Sequence, residues 1–232
     1  MFLICKTYNS FFQSCLNVDY YIDFAKKNSF GFVSITDFEN IFDMWDFIIK
    51  AKENNIKPVV GVEIGFDQFF PGLFVFLKDW SKKKVFYEII SYRVLGYKEP
   101  LSFILDRIKK DRDYFDGLAF VSLTDSLYLH IKEQIFNLFY QSYPHKSFDY
   151  FDCSHYLDCS SCFDISDFID LYFGVPENSI FKGEYFYFKK KYKKVVPIFF
   201  SFYNEEDFKT EKELSFFEFL SYLDKVKNGF SY

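Results

Sequence analysis

Apolar and polar positions alternate along this chain with two periods. Over residues 17–28, Val18, Tyr21, Ile22 and Ala25 recur at three-to-four spacing, and Asn17 stands where a helix N-cap belongs. Residues 43–54 repeat the pattern with Met44, Phe47, Ile48 and Ala51 inward and Asp43 as the cap. The same reading predicts helices near 83–95, 100–110, 127–142 and 165–173. Flanking the second helix are two short apolar runs, Phe32-Val33-Ser34-Ile35 and Val59-Val60-Gly61-Val62. Strand, helix and strand within about two dozen residues make a βαβ unit, which predicts a parallel sheet wrapped by helices. Residues 143–164 and 174–194, where His, Pro, Gly, Cys and Lys cluster, read as irregular. No internal repeat or Gly/Ser linker divides the chain.

Asp37 lies just past the first run and Glu63 just past the second. Carboxylates at the carboxyl ends of consecutive parallel strands sit where a barrel enzyme keeps a metal site. At 232 residues and 50% hydrophobic, the chain is expected to bury one core as one domain. The 36 Phe and 19 Tyr are evenly spread and use A/T-rich codons, so they read as base composition and not as stacking platforms. A net charge of −5 argues against nucleic-acid binding by bulk electrostatics. The apolar start Met1-Phe2-Leu3-Ile4-Cys5 is cut by Lys6, and no apolar run reaches the ~20 residues of a membrane span, so a cytoplasmic protein without membrane partners is expected. Five cysteines in a chain of this length are expected to stay reduced.

Ile35-Thr36-Asp37-Phe38-Glu39-Asn40 and Asn55-Ile56-Lys57-Pro58-Val59-Val60-Gly61-Val62-Glu63 resemble two motifs of the PHP (polymerase and histidinol phosphatase) family, "TDH-x-N" or "TDF-x-N" and "GIKPIIGxE". The likeness is nearest to the PHP domain at the amino end of the bacterial DNA polymerase III alpha subunit. Leu73 to Lys78, Phe115 to Ser122, Val196 to Ser201 and Leu214 to Leu220 follow that domain's later segments in order. The resemblance implies a distorted (β/α)7-type barrel, TIM-barrel-like, spanning 1–232 as a single PHP-like domain with the polymerase's palm, fingers and thumb absent. It also implies a scaffold role in DNA replication, as a split or truncated subunit.

An active site of that family holds divalent metals on His and carboxylates, which polarise a phosphoryl oxygen and generate hydroxide. The resemblance places its first motif, "HxHSxYSxxDG", on Ile4-Cys5-Lys6-Thr7-Tyr8-Asn9-Ser10, so Ile4 and Lys6 stand where two His would be. The motif's closing Asp-Gly falls at Gln13 and Ser14, Phe38 replaces a third His, and the final "NDxH" falls at Tyr203 to Glu205. An ammonium at position 6 puts fixed positive charge where a dication would sit. Asp37, Glu63 and Glu205 remain as residual metal candidates, and Ile4, Lys6, Phe38 and Tyr203 are degenerate ligand positions. No cofactor is the first expectation, with manganese, iron or zinc as the alternative. In the metal-free reading Asp37 caps the following helix and Glu63 pairs with Lys6.

Two further clusters carry chemistry. Cys153, His155, Cys159 and Cys162 offer three thiols and an imidazole to zinc, or are unpaired loop cysteines. Lys189, Lys190, Lys191, Lys193 and Lys194 could contact phosphates, or form a solvated helix end or loop. The leading expectation is a non-catalytic PHP scaffold that binds a polymerase core or a proofreading exonuclease subunit of the replisome and meets nucleic acid indirectly. The alternatives are a metal-dependent phosphoesterase or 3′-5′ exonuclease, and a zinc-stabilised interaction module.

Overall fold

Residues 2–10, 13–14, 16–65, 72–95, 100–142, 165, 168–176 and 185–200 are described by the computed structural model. Along the chain they form β1 (Phe2–Ile4), α1 (Val18–Lys27), β2 (Phe32–Phe38), α2 (Met44–Glu53), β3 (Lys57–Ile64), β4 (Leu73–Leu77), a 3₁₀ turn (Trp80–Lys82), α3 (Lys83–Val94), α4 (Pro100–Lys110), β5 (Leu118–Ser122), α5 (Asp125–Ser142), β6 (Leu171–Pro176), α6 (Tyr185–Lys191) and β7 (Val195–Phe200). The strands make one sheet in the order β1-β7-β6-β5-β4-β3-β2. Its two edges meet at one point, where the Thr36 N–H donates to the Cys5 carbonyl at 2.7 Å and the Thr36 hydroxyl donates to it at 3.2 Å. No ladder joins β1 to β2 among the described residues, so this barrel-type sheet curls without closing.

Both faces of the sheet are covered, which is why its strands read as unbroken apolar runs: every residue of β4 and of β5 is buried. One face packs Val33, Ile35, Val60, Val62 and Val75 against helix residues such as Tyr21, Ile22, Phe47 and Phe86. The other face holds Ile4, Phe74, Phe76, Ala119, Val121, Val196 and Ile198 inside the curl. Gly61 is required there, because a Cβ at that position would lie 2.7 Å from the Phe76 ring and 2.9 Å from Thr36 Cγ2.

The helices at 17–28 and 43–54 form within one residue of expectation. Asn17 caps α1, its side chain accepting from the Tyr20 N–H at 2.9 Å. Asp43 occupies the N-cap position of α2 without a side-chain cap bond, a correction to the expected capping. Its backbone (φ −86°, ψ 2°) is not the extended form that lets a cap side chain reach back, and its Oδ2 is buried without a hydrogen-bond partner.

Two more expectations need correcting. β4 runs antiparallel to both β3 and β5, so the sheet is mixed. Only eight residues separate Ile64 from Leu73, too few for the dozen or more of a crossover and enough for a hairpin. The stretch 165–173 is not a helix: Ile165, Phe168 and Ile169 are buried at helical spacing, but Leu171 begins β6, which pairs with β5 and β7. Short apolar runs of this kind fit either period, and sheet pairing decides between them. Residues 174–194 likewise contain the end of β6 and all of α6.

Candidate functional site at the mouth of the sheet

β2 and β3 pair in parallel with Asp37 opposite Val62 and Phe38 opposite Glu63. Because side chains alternate along a strand, this register sends Phe38 and Glu63 to one face and Asp37 to the other. The face of Phe38 and Glu63 continues that of Thr36 and Gly61, inside the curl. Asp37 continues the face of Val33 and Ile35, toward the helices. The two carboxylates therefore do not share a site.

Glu63 sits at the carboxyl end of β3 and receives the ammonium of Lys6, which reaches in from the segment after β1 and also donates to Gln13 Oε1. The Lys6 ammonium lies 5.7 Å from the centre of the Phe38 ring and 5.9 Å from that of Phe74, within cation–π range of both. The Lys6 and Glu63 side chains are 17% and 13% exposed, so the pair is partly desolvated and not a surface contact. Gly72 lines the same spot, and a Cβ there would overlap Glu63 Cγ, Cδ and Oε1.

Asp37 anchors the segment that carries Lys6. Its Oδ1 accepts from the Thr7 N–H at 2.6 Å and the Ser10 hydroxyl at 2.7 Å, and its Oδ2 accepts from the Thr7 hydroxyl at 2.8 Å. The Ser10 hydroxyl in turn accepts from the Phe38 N–H at 2.9 Å. Tyr21 completes the hold by donating to the Lys6 carbonyl at 2.6 Å. Burial raises the Asp37 carboxyl above the ordinary range; the bonds from Ser10 and Thr7 oppose this, and the charge of Asp43 adds to the rise. Asp37 does not cap α2, whose N-cap position belongs to Asp43. Burial and then the charge of Asp37 push the Cys5 thiol up, which makes it a packing residue and not a nucleophile.

With this geometry in view, comparison with known proteins is informative. The sequence model of the PHP domain matches residues 3–196, most of the chain. The chain belongs to the PHP domain family. A curated relative, the DNA polymerase III subunit alpha of Streptococcus pyogenes, is 25% identical over 122 residues, covering 50% of this chain and 11% of its own length. The chain thus spans about a tenth of the curated relatives it matches. Among solved structures, a Bifidobacterium adolescentis chain assigned to the metal-dependent phosphoesterases has a TM-score of 0.31 at 17% identity, covering 56% of this chain and 42% of that one. An amidohydrolase from Chromobacterium violaceum has a TM-score of 0.35 at 9% identity, covering 59% and 73%. Likeness at that level carries no functional argument.

For a PHP domain, the question is whether the mouth fits a divalent metal. Lys6, Gln13, Phe38 and Glu63, four positions that the family's motifs assign to ligands, do converge in space. They supply one ammonium, one amide, one hydrocarbon ring and one carboxylate, and the ammonium already holds the carboxylate. A dication placed there would face a fixed positive charge with a single anionic oxygen donor group. Among the described residues no three His, Cys, Asp or Glu side chains gather as a metal set. The residues present do not fit the metal.

Ile4 is buried in the interior cluster, consistent with a packing side chain. Tyr203, Glu205, Cys153, His155, Cys159 and Cys162 lie outside the described residues. The lysine run falls at the end of α6 and in the turn before β7. Lys191 pairs with Asp125, and Lys194 shares Asp170 with Lys78, so these two are engaged by carboxylates. No helix among the described residues is long and apolar enough to cross a membrane. Thr7 and Ser10 were missed as positioning residues, although both stand in the segment that matches "HxHSxYS", where they occupy the two hydroxyl positions of the motif.

Proposed function

We propose that this PHP domain is a non-catalytic scaffold in a replisome context, its mouth held by an internal ammonium where an active relative would hold metal. The observation that carries this reading is the Lys6 ammonium on Glu63, walled by Gln13, Phe38 and Phe74. A phosphoesterase needs cations to polarise the phosphoryl oxygen and make hydroxide, and this donor set offers them one engaged carboxylate. The replication context rests on similarity to the amino-terminal region of DNA polymerase III alpha, and the partners that follow are a polymerase core or a proofreading exonuclease subunit.

The test is hydrolysis of p-nitrophenyl phosphate and of a DNA 3′ end by purified protein with manganese present. No turnover above buffer is expected. Manganese-dependent turnover that disappears in Glu63→Gln overturns the non-catalytic reading, and the same variant excludes a contaminating phosphatase. For the context, replication subunits are expected to co-purify from the native cell, and their absence from a washed pull-down counts against it.

A further inference from the structure

Helix α2 is apolar on two sides. Met44, Phe47, Ile48 and Ala51 face the core, while Phe42, Trp45 and Ile49 are 76%, 55% and 54% exposed at three-then-four spacing, one turn apart on the outer side. Trp80 extends this stripe, its ring 5.7 Å from that of Trp45 and edge-on to it. Single exposed apolar side chains are ordinary; two adjoining tryptophans with a phenylalanine and an isoleucine on one stripe are not. Charge around the stripe is uneven. On one flank Lys50 bonds both Asp19 and Asp46, at 2.6 and 2.9 Å, so those carboxylates are already engaged. On the other flank Lys82, Lys83 and Lys84 follow Trp80, and the Lys83 ammonium lies 5.4 Å from the centre of its ring.

We propose that the Phe42, Trp45, Ile49 and Trp80 stripe docks an acidic amphipathic helix of a partner protein. The three-then-four spacing of the apolar anchors matches the ridge of a second helix, and the lysine flank is complementary to carboxylates beside that ridge. A nucleic-acid strand fits less well, because Ile49 offers no stacking face and Asp43 and Asp46 stand on the same helix. The inference is independent of whether the mouth holds a metal.

Both tryptophans of the chain are Trp45 and Trp80, so intrinsic tryptophan emission reports on the stripe alone. The probe is a synthetic 18-residue helix with Leu at positions i, i+3, i+4 and i+7 and Glu elsewhere on its flanks, compared with the same peptide carrying Lys for Glu and with oligo(dT). The acidic peptide is expected to shift the emission to the blue and shield it from acrylamide, with a Kd at least about tenfold below that of the basic peptide. Trp45→Ala, read through Trp80, is expected to weaken binding about tenfold or more. Lys82→Glu, Lys83→Glu and Lys84→Glu together are expected to reverse the preference between the peptides. Circular dichroism checks that each variant is folded. Emission indifferent to both peptides overturns the proposal, as does saturable quenching by oligo(dT) alone. A blue shift that grows with protein concentration without peptide, and is absent in Trp45→Glu, assigns the stripe to a second copy and also overturns it.

Discussion

Asp37 and Glu63 stand one register step apart on paired strands, and they do opposite things. Glu63 faces the inside of the curl and takes a full positive charge from Lys6. Asp37 faces the helices, is 1% exposed, and is satisfied by neutral donors on Thr7 and Ser10. Their environments leave different marks: burial raises the Asp37 carboxyl, whereas Glu63 lies in direct contact with an ammonium. A carboxylate at a strand end is therefore not one kind of residue, and the parity of its position decides whether it can reach the mouth. The two are nonetheless linked, since Asp37 pins Thr7 and so fixes the backbone from which Lys6 reaches Glu63.

The largest expected effect separates the two roles. Asp37→Ala removes the acceptor of one buried amide and two hydroxyls and is expected to cost about 3–5 kcal/mol, read by denaturant melts. A loss under about 1 kcal/mol would mean that water or another acceptor replaces Asp37 at Thr7 and Ser10. Lys6→Met comes next, at about 1–4 kcal/mol, because it leaves Glu63 partly buried and unpaired. Adding Glu63→Gln to it is expected to recover part of that loss, so the double-mutant cycle shows coupling of about 1 kcal/mol or more. Additive losses would mean that Lys6 and Glu63 do not hold one another.

Gly72→Ala tests the mouth from its other wall. A methyl there collides with Glu63, so a loss of about 1–3 kcal/mol is expected, and most of it should vanish in a Glu63→Ala background. Equal losses in both backgrounds would place the strain in the backbone at residue 72 and not at the ion pair.

The smallest effect uses pH and brings in a third carboxylate. Asp170 lies at the opposite end of the sheet, before β6, where Lys78, Lys194 and Tyr172 bond it. Burial pushes its pKa up, but the two lysines outweigh that and lower it. A lowered native pKa gives stability that is present above the unfolded value and is lost as pH falls through the native one. Asp37 has the reverse sign: its raised native pKa favours the folded state at and below the ordinary carboxylate range, and that contribution is lost as pH rises through the raised value. Asp170→Asn is therefore expected to flatten the acid side of the stability profile, by about 1 kcal/mol or less because its lysines are largely exposed. Asp37→Asn is expected to flatten the profile just above the ordinary carboxylate range. Identical changes in the two variants would contradict the assignment of opposite signs.

Much of the fold was legible because it depends on period. The helices around Tyr21 and Phe47 and the strands ending near Asp37 and Glu63 carry clear three-to-four or unbroken apolar patterns, and they form where expected. The helix expected at 165–173 failed because Leu171-Tyr172-Phe173-Gly174-Val175 is a short buried run whose state is set by its neighbours β5 and β7. The antiparallel β4 was readable from the short gap after Glu63, a length that excludes a crossover. At the mouth, the pairing of Lys6 with Glu63 followed from charge and motif position. That Asp37 turns away followed from parity alone, and its partners Thr7 and Ser10 were hidden because the motif was read for metal ligands and not for hydroxyls.

The central claim is that the Lys6 ammonium fills the place of a cation at Glu63. Manganese binding to the purified wild-type protein, followed by electron paramagnetic resonance with metal analysis of the dialysed sample, tests it most directly. The account predicts no saturable site below ~1 mM and a melting temperature unchanged by manganese or EDTA. A stoichiometric manganese site that is lost in Glu63→Gln would contradict it.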